Sequence, residues 1–407
     1  MQINEYIYKL AKGTLIAQLM SLIAVPIMAR LYGTNDIGLY YLILNVVNMF
    51  LPVISLRVEQ AIIKENDISK KAELYSISIF IIFFMSVLVS SIYAMINDSN
   101  INSVHLVVIM SLLLIFNGIF QLNKCYFLST DDVSEVSRII ISRTYAKFLL
   151  IILLGLIYGS FEAVIISEVI SFILVYFLVL NKLYKLKFIN IMRTKKLLIE
   201  NKNYTVNDSL LTLINCLVAS SSSVYIGVIY DLEYVAYFNM ALTLVNLPNY
   251  HLGKAISESF LLYAIKKGKK DLFITLNRYL IIIFIVSSIL YSILYFMSEE
   301  IVLIILGSDW QETGLIIKLL CIQMVGALLS SPVLRILPLF ELAHVRIIIE
   351  GLGLLVIFVV MIICYFTNMD INIFIILTSS VRLLMYLTLI IFTRYYLRKE
   401  NEAITCA

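Results

Sequence analysis

Long apolar runs recur along the whole chain and are separated by short polar connections. A helix that spans a bilayer needs about 20 mostly apolar residues, because the hydrocarbon core is about 30 Å thick and each helical residue rises about 1.5 Å. The runs are continuous rather than alternating, which favours helices over the strands of a membrane barrel. We therefore predict an all-α integral membrane protein with about twelve spanning segments, at residues 13–31, 39–63, 73–96, 104–128, 139–158, 163–181, 207–230, 234–263, 274–297, 313–338, 345–366 and 371–393.

The basic residues fall on every second connection between these segments. Positive charge collects in the cytoplasmic loops of membrane proteins, so the alternation predicts an even number of spans with both termini in the cytoplasm. The connections without Lys or Arg, which carry acidic residues and are predicted to face the outside, are residues 32–38, 97–103, 159–162, 231–233, 298–312 and 367–372.

The overall composition excludes a water-soluble protein. Hydrophobic residues make up 61% of the chain and charged residues 14%, against about 45–50% and 25% in soluble domains. The five cysteines and three histidines are too scattered to predict a disulfide framework or a metal site, and no phosphate-binding GxxxxGK motif is present. We expect no cofactor, no metal and no nucleic-acid partner. The first apolar run, Gly13–Leu31, has no clear cleavage site and is predicted to be a helix of the protein rather than a signal peptide.

A long basic connection near the middle of the chain divides the segments into two sets of six. The predicted parts are an N-lobe at 1–181, a basic cytoplasmic linker at 182–206, a C-lobe at 207–393 and a cytoplasmic tail at 394–407. Two interpretations of the linker stay open, because its charge could anchor the topology or form a docking surface for a partner.

Polar residues repeat at helical spacing on corresponding helices of the two halves, with an offset of about 197 or 198 residues. Spacings of three and four place such residues on one helix face. Matching halves of this kind predict parallel repeats, a common design of transporters. The stripes are interpreted as the lining of a wet lumen, with interhelical hydrogen bonds as the alternative. Pro52 and Pro248 are expected to kink two of these helices. The predicted polar lumen residues are Gln18, Asn45, Asn48, Asn215, Asn239 and Asn246.

Several charged residues lie inside apolar segments, where a charge costs at least about 2.5–3.5 kcal/mol. Such charges should be paired, hydrated or functional. Arg143 and Lys147 stand one turn apart, and Arg382 lies near the predicted midplane. A cationic cavity suits an anionic substrate, and the guanidinium geometry matches a diphosphate. The predicted substrate-binding cations are Arg143, Lys147, Arg382, Arg57, Lys254 and Lys318, and pairing with the acids Glu59, Glu168, Asp208, Glu258 and Glu350 is the alternative.

Four stretches of the chain resemble the signatures of one transporter family. They are Arg30–Tyr40 (RLYGTNDIGLY), Leu56–Ile62 (LRVEQAI), Tyr237–Ala241 followed by Pro248 and Lys254–Ile256, and Leu306–Gly314 (LGSDWQETG), where Thr313 replaces the usual alanine. In order and spacing they are similar to the O-antigen (Wzx-type) flippases of the multidrug/oligosaccharidyl-lipid/polysaccharide (MOP) transporter superfamily.

The resemblance implies a two-lobed, V-shaped MOP/MATE-like fold with a cationic lumen, and a transport function rather than an enzymatic one. It implies alternating access and an undecaprenyl-diphosphate-linked oligosaccharide as substrate, in the bacterial inner membrane. A polysaccharide polymerase and a chain-length regulator are the expected protein partners. Coupling to a proton or sodium gradient is expected through an acid such as Glu59, Glu258 or Asp208.

Two other functions stay open from the sequence. A cation-coupled multidrug exporter of the same superfamily would favour an acidic lumen, which the deep Arg382 argues against. A membrane polymerase or ligase acting on lipid-linked sugars would need a large outer loop for its catalytic site. The longest predicted outer connection, 298–312, offers carboxylates but no basic partner.

Overall fold

A computed structural model describes residues 3–96, 103–183, 202–267, 272–340 and 342–406, and the regular structure in these ranges is helical. The α-helices, in chain order, are α1 Ile3–Leu31, α2 Thr34–Ser55, α3 Val58–Lys64, α4 Ile68–Ile96, α5 Ser103–Ser129, α6 Val133–Ile157, α7 Phe161–Leu183, α8 Lys202–Ile229, α9 Leu232–Pro248, α10 Lys254–Lys267, α11 Leu272–Ile305, α12 Gln311–Ile336, α13 Ala343–Thr367 and α14 Ile371–Cys406.

Every predicted spanning segment falls in a helical part of the chain. Ten helices within the described residues are long and apolar enough to cross a membrane. The other two predicted segments correspond to α1, whose apolar part is Leu15–Leu31, and to α9 and α10, which a π-helical turn at Asn249–Gly253 joins. The prediction of an all-helical, multi-pass membrane protein is confirmed.

The prediction that residues 39–63 form one continuous helix was wrong, because they form two helices. Leu56 and Arg57, between α2 and α3, both have left-handed backbones with φ of 46° and 53°. Pro52 has no N–H to donate within α2. The Ser55 hydroxyl accepts from the backbone N–H of Arg57 at 3.2 Å. The Ser55 hydroxyl thus replaces a backbone carbonyl as acceptor at the break. The left-handed backbones of Leu56 and Arg57 each cost about 1 kcal/mol or more in strain.

The predicted outer connection 298–312 was also wrong in extent. Helix α11 continues to Ile305, and Ser308–Trp310 forms a single 3₁₀ turn before α12. Gly307, with φ of +106°, makes the reversal that an L-residue would adopt only under strain. Little irregular chain is left between α11 and α12 to build a catalytic site.

The chain forms two compact units, Met1–Ser220 and Ser221–Ala407. The division falls inside α8, and residues 184–201 of the predicted basic linker lie outside the described residues. The predicted lobe boundaries therefore stay a prediction. In the first unit α6 packs against α1 and α7, and α7 also contacts α2 and α5. In the second unit α12 is central and packs against α9, α10, α11 and α14.

Large apolar side chains cover the outer surface of the helices. Phe80, Phe296 and Phe366 are 74%, 78% and 77% exposed. In water such a surface would be unfavourable, whereas in a bilayer these exposed rings contact the lipid tails at no hydrophobic cost. Specific packing therefore depends on close approach at small residues, as where Gly314 of α12 lies against the Glu299 backbone.

Candidate functional site

A cluster of charged and aromatic side chains lies inside the first unit, where α2, α5, α6 and α7 meet. Helix α6 begins after Asp132, whose side chain accepts from the backbone N–H of Glu135 as an N-cap. Arg143 and Lys147 follow on one face, about 15 and 21 Å along the helix from its start. Both reach Glu168 of α7. The basic pair and the acid, which the sequence placed on separate segments, are therefore one site.

Glu168 accepts from both cations and is almost fully buried. Its carboxylate forms an ion pair with the Arg143 guanidinium through Oε1. Its Oε2 lies 2.5 Å from Lys147 Nζ. The Tyr40 hydroxyl completes the arrangement, since it accepts from Lys147 Nζ at 3.0 Å and donates to Glu168 Oε2 at 3.2 Å. A carboxylate held by two cations and a hydroxyl is anchored in one position.

Aromatic rings hold the arginine in place. The Arg143 guanidinium lies 4.0 Å from the ring centroid of Phe172 and 5.1 Å from that of Phe120. Lys124 of α5 lies 5.7 Å from the same Phe120 ring and donates to Gln121. Cation–π contacts strengthen when water is excluded. The rings thus favour positive charge at the Arg143 position within the apolar helix bundle.

The cluster keeps an excess of positive charge. Arg143 and Lys147 share a single carboxylate, so one charge of the two remains, and Lys124 adds another nearby. The side chains of Arg143 and Lys147 stay about a quarter exposed, at 25% and 26%, while that of Glu168 is 3% exposed. The Arg143 Nε is buried and has no hydrogen-bond partner within the described part of the chain. The two cationic side chains are thus only partly covered by the protein, and one buried donor of Arg143 is left unbonded.

Arg382, the deepest predicted cation, lies in the second unit on α14. It is 9% exposed and donates from Nη2 to the Ser222 hydroxyl of α8 at 3.1 Å. Tyr386 follows one turn later on the same helix and is close enough to interact electrostatically. A common substrate site of Arg382 with Arg143 and Lys147 stays a prediction.

The remaining predicted cations occupy three different settings. Arg57 lies at the break between α2 and α3, 3.5 Å from buried Glu59. Lys254 is exposed at the start of α10. Lys318 pairs with Glu299 between α12 and α11. For Arg57, as for Arg143 and Lys147, the structure provides an acidic partner that the alternative interpretation named, whereas the partner of Lys318, Glu299, was not among the named acids. The role of these cations in binding substrate stays a prediction.

The predicted polar lumen residues also differ among themselves. Asn239 is buried and donates to the Ser223 hydroxyl at 2.7 Å, which is an interhelical hydrogen bond. Asn45 and Asn246 donate to the carbonyls of Tyr41 and Leu242, four residues earlier in their own helices. Both are half-buried, as are Gln18, Asn48, Asn215 and the coupling candidate Glu258. The side chain of Asp208 lies outside the described residues.

Sequence reasoning missed four members of the cluster, namely Tyr40, Lys124, Phe120 and Phe172. Lys124 could have been found, because it is a charge within the apolar segment 104–128. The three aromatic residues gave no such signal, since 12% of the chain is aromatic. Only the packing of α2, α5 and α7 against α6 identifies them.

Two kinds of comparison give results for this chain. The profile of the family described as "Polysaccharide biosynthesis protein" matches residues 27–314. Among solved structures, the lipid II flippase MurJ in an inward closed conformation is similar with a TM-score of 0.76 and 16% identity, covering 95% of this chain and 87% of that one. An inward-facing multidrug resistance MATE family transporter of the MOP superfamily has a TM-score of 0.69 and 11% identity, covering 97% and 98%. No curated protein is matched by this sequence.

The structural matches agree with the expected MOP/MATE-like fold. At such low identities the structural matches establish the fold alone. The family profile covers more than half of the chain. The chain is therefore a multi-pass membrane protein with a MOP-type transporter fold, and it belongs to the polysaccharide biosynthesis protein family.

Proposed function

We propose that this protein is a flippase of the inner membrane that moves undecaprenyl-diphosphate-linked oligosaccharide units, of the O-antigen kind, from the cytoplasmic to the periplasmic leaflet. The observation that carries the proposal is the buried cluster in which Arg143 and Lys147 share Glu168. A diphosphate presents several charged oxygens in the geometry that a guanidinium recognises.

The diphosphate of the substrate would replace part of the ion pairing between Glu168 and the two cations, Arg143 and Lys147. Arg143 Nη2 already bonds Glu168, so a phosphate would exchange with Glu168 at Nη2 or bond the buried Nε, which has no partner within the described residues. When a diphosphate approaches, Glu168 keeps Arg143 and Lys147 oriented, while the excess positive charge attracts the phosphates. Transport needs binding that is strong enough for entry and weak enough for release. An acid between the cations lowers the affinity for anions and so serves that balance.

Alternating access is the proposed mode of movement, with the polyprenyl tail remaining in lipid. The break at Leu56 and Arg57 and the π-helical turn at Asn249–Gly253 are the positions at which helices change direction most readily. Buried Glu59, at the first of them, is the preferred acid for coupling to an ion gradient. Its carboxylate accepts from the Ser55 hydroxyl at 3.2 Å.

The two rival functions are weaker. A multidrug exporter of organic cations would bring positive charge against the positive excess around Arg143 and Lys147, which costs energy in a low dielectric. A polymerase or ligase would need an outer catalytic loop, and in this region α11 and α12 leave only a short turn around Ser308–Trp310.

The test compares single substitutions that each leave Glu168 one cationic partner. We expect Arg143→Gln and Lys147→Gln to lower translocation of the lipid-linked oligosaccharide at least about tenfold, the effect of losing one charge-assisted hydrogen bond. Translocation is measured in proteoliposomes, and surface polysaccharide in cells. Protein abundance is measured for every variant, so that a folding defect is recognised.

Arg138→Gln is the matched control, because Arg138 lies on the same helix with its side chain 56% exposed. It should translocate like the wild type. In cells that lack the gene, lipid-linked units should accumulate on the cytoplasmic side. Normal surface polysaccharide from a well-expressed Arg143→Gln variant would contradict the proposed site, and intact polysaccharide after gene deletion would contradict the function.

A further inference from the structure

A partly polar cavity of about 260 Å³, open to the surface, lies within the second unit, between the π-helical turn, α10, α12 and α13. A single water molecule needs only about 10–15 Å³ by this measure, so the cavity is large enough for a small polar group. Its polar lining consists of Asn249, Ser257, Ser331, Arg335 and Arg346. Within the described residues no acidic side chain lines it. The cavity is thus a basic site separate from the residues of the Glu168 cluster.

Two polar atoms of this lining are buried without a hydrogen-bond partner in the part of the chain that the structure describes. They are the Asn249 Oδ1 and the Ser331 Oγ. Buried polar atoms are nearly always bonded, and each unsatisfied one costs about 1–3 kcal/mol. The amide nitrogen of Asn249 instead contacts the Met324 sulfur at 3.2 Å. An acceptor and a hydroxyl are therefore available to a ligand.

The two arginines supply the charge. Arg346 pairs with Glu350 through Nε at 2.7 Å, and no hydrogen bond from its terminal nitrogens is found among the described residues. Arg335 is exposed and makes no ion pair within the described residues. Because the Glu350 pair is neutral, the lining keeps the charge of Arg335. Donors thus converge from α12 and α13, while the Asn249 oxygen accepts.

The π-helical turn explains how these groups come together. The turn directly follows Pro248, and Asn249 and Gly253 are its first and last residues. A π turn places one extra residue in the helix and so redirects the side chains that follow it. Gly253 allows close packing, since a Cβ there would lie 3.4 Å from Leu328 and 3.6 Å from Ser331. Polar residues of the π-helical turn, of the end of α12 and of the start of α13 therefore line the same cavity.

We propose that this cavity binds a phosphate ester that carries free hydroxyl groups, the chemistry shared by the headgroup of an anionic phospholipid and by a free sugar phosphate. The arginines and Ser331 bond the phosphate oxygens, and Asn249 accepts from a hydroxyl. Arg335 is the penultimate residue of α12, and Arg346 is in the first turn of α13. The charge pattern of the chain assigns these helix ends to the cytoplasmic side, where basic pockets between helices bind anionic headgroups.

The experiment measures binding to the purified full-length protein in detergent, with two probes. One is short-chain phosphatidylglycerol, compared with short-chain phosphatidylcholine, and the other is glucose 1-phosphate. We expect Arg335→Gln and Ser331→Ala each to weaken binding at least about tenfold, as for the loss of one hydrogen bond to a charged group. Neither substitution breaks a hydrogen bond of the described protein. The unliganded variants should therefore unfold at or above the wild-type temperature.

Matched controls are available beside each residue. Ser330 is adjacent to Ser331 but bonds the Ala327 carbonyl, and Arg394 is an exposed arginine of α14. Ser330→Ala and Arg394→Gln should bind each probe within about twofold of the wild type. Binding of phosphatidylglycerol alone assigns the ligand to the membrane, and binding of glucose 1-phosphate assigns it to the cytosol. Absence of binding by both probes, or equal affinities of Arg335→Gln and Arg394→Gln, would overturn the proposal. The readout is binding rather than transport, so it is independent of the proposed flippase activity.

Discussion

The Glu168 carboxylate is the group on which the charge cluster depends. It is 2% exposed and contacts two cations and one hydroxyl. A buried ion pair contributes little net stability by itself, because desolvation offsets most of the Coulomb attraction. Removing one partner is different, since the other charges are left buried without compensation. Glu168 thus lets the protein hold Arg143 and Lys147 inside a membrane segment.

Glu168→Gln should therefore destabilise the protein strongly. We expect the free energy of unfolding to fall by about 3–5 kcal/mol, the usual cost of breaking a buried ion pair from one side. Thermal unfolding of the purified protein in detergent is the measurement.

Glu162→Gln, in the first turn of the same helix, serves as the control and should change stability little. The double variant Glu168→Gln with Lys147→Gln should recover part of the loss, because one uncompensated cation is removed. If Glu168→Gln unfolds at the wild-type temperature, the buried ion pairing described here is not present in solution.

Close helix packing at the element scale depends on small residues at a few positions. A Cβ on Gly314 would lie 3.0 Å from the Glu299 Cα and 3.3 Å from its backbone nitrogen. Since backbone atoms cannot rotate away, α11 and α12 would have to separate. At Gly351 of α13, by contrast, a Cβ would meet nothing within 4 Å.

Gly314→Ala should lower the free energy of unfolding by about 1–3 kcal/mol through overpacking. Gly351→Ala should leave it unchanged or raise it by up to about 1 kcal/mol, the helix preference of alanine over glycine. Both are read by thermal unfolding in one detergent. A Gly314→Ala variant as stable as Gly351→Ala would show that the two helices are less closely packed.

A second cluster of charged residues, which lies outside the spanning segments, stabilises the start of α6. Lys182 Nζ lies 3.0 Å from Asp132 and 2.9 Å from Glu135. Burial by itself would raise the pKa of Asp132, but hydrogen bonds from Lys182 and Ser134 outweigh it and leave the pKa below its usual value. A carboxyl group with a lowered folded-state pKa stabilises the fold fully only above its unfolded pKa of about 3.9.

The contribution of Asp132 should therefore be constant from neutral pH down to about pH 5, and it should disappear as the pH falls through the lower folded-state pKa. Asp132→Asn should flatten the acid side of the stability profile between about pH 5 and pH 3. Asp131→Asn is the control, because Asn also tolerates the left-handed backbone at that position, where φ is 57°. The measurement is the unfolding temperature against pH. Equal slopes for the two variants would refute the role of Asp132.

At the scale of the whole molecule, the charge pattern predicts which end of each helix faces the cytoplasm. Asn66, between α3 and α4, belongs to a basic connection and is expected inside. Ser308, between α11 and α12, belongs to an acidic connection and is expected outside.

Single cysteines at these positions, in a chain whose native cysteines are replaced by serine, test the orientation. In intact cells with a permeable outer layer, a membrane-impermeant maleimide should label Ser308→Cys, and it should label Asn66→Cys only after the inner membrane is opened. The opposite labelling would invert the topology. It would also place the cavity of Arg335 and Arg346 on the outer side.

The sequence alone determined the helical class and the positions of the apolar helices, and it predicts twelve spans and their orientation. These properties depend on local hydropathy and charge, because each span must satisfy its own backbone within lipid and each positive loop resists translocation. Local pattern also identified Arg143 and Lys147 as neighbours on one face. The break at Leu56 and Arg57 was missed, because it depends on a hydrogen bond from the Arg57 backbone N–H to the Ser55 hydroxyl and not on hydropathy.

Only the tertiary structure decided which faces meet. Tyr40 and Glu168 are 128 residues apart, and helical periodicity states which residues share a face but not which face packs against it. In lipid, apolar helix surfaces are nearly equivalent, so their pairing follows shape and a few polar contacts that hydropathy does not encode. The assembly of the Glu168 cluster, and of the cavity around Asn249 and Ser331, therefore depends on packing between distant helices rather than on any local motif.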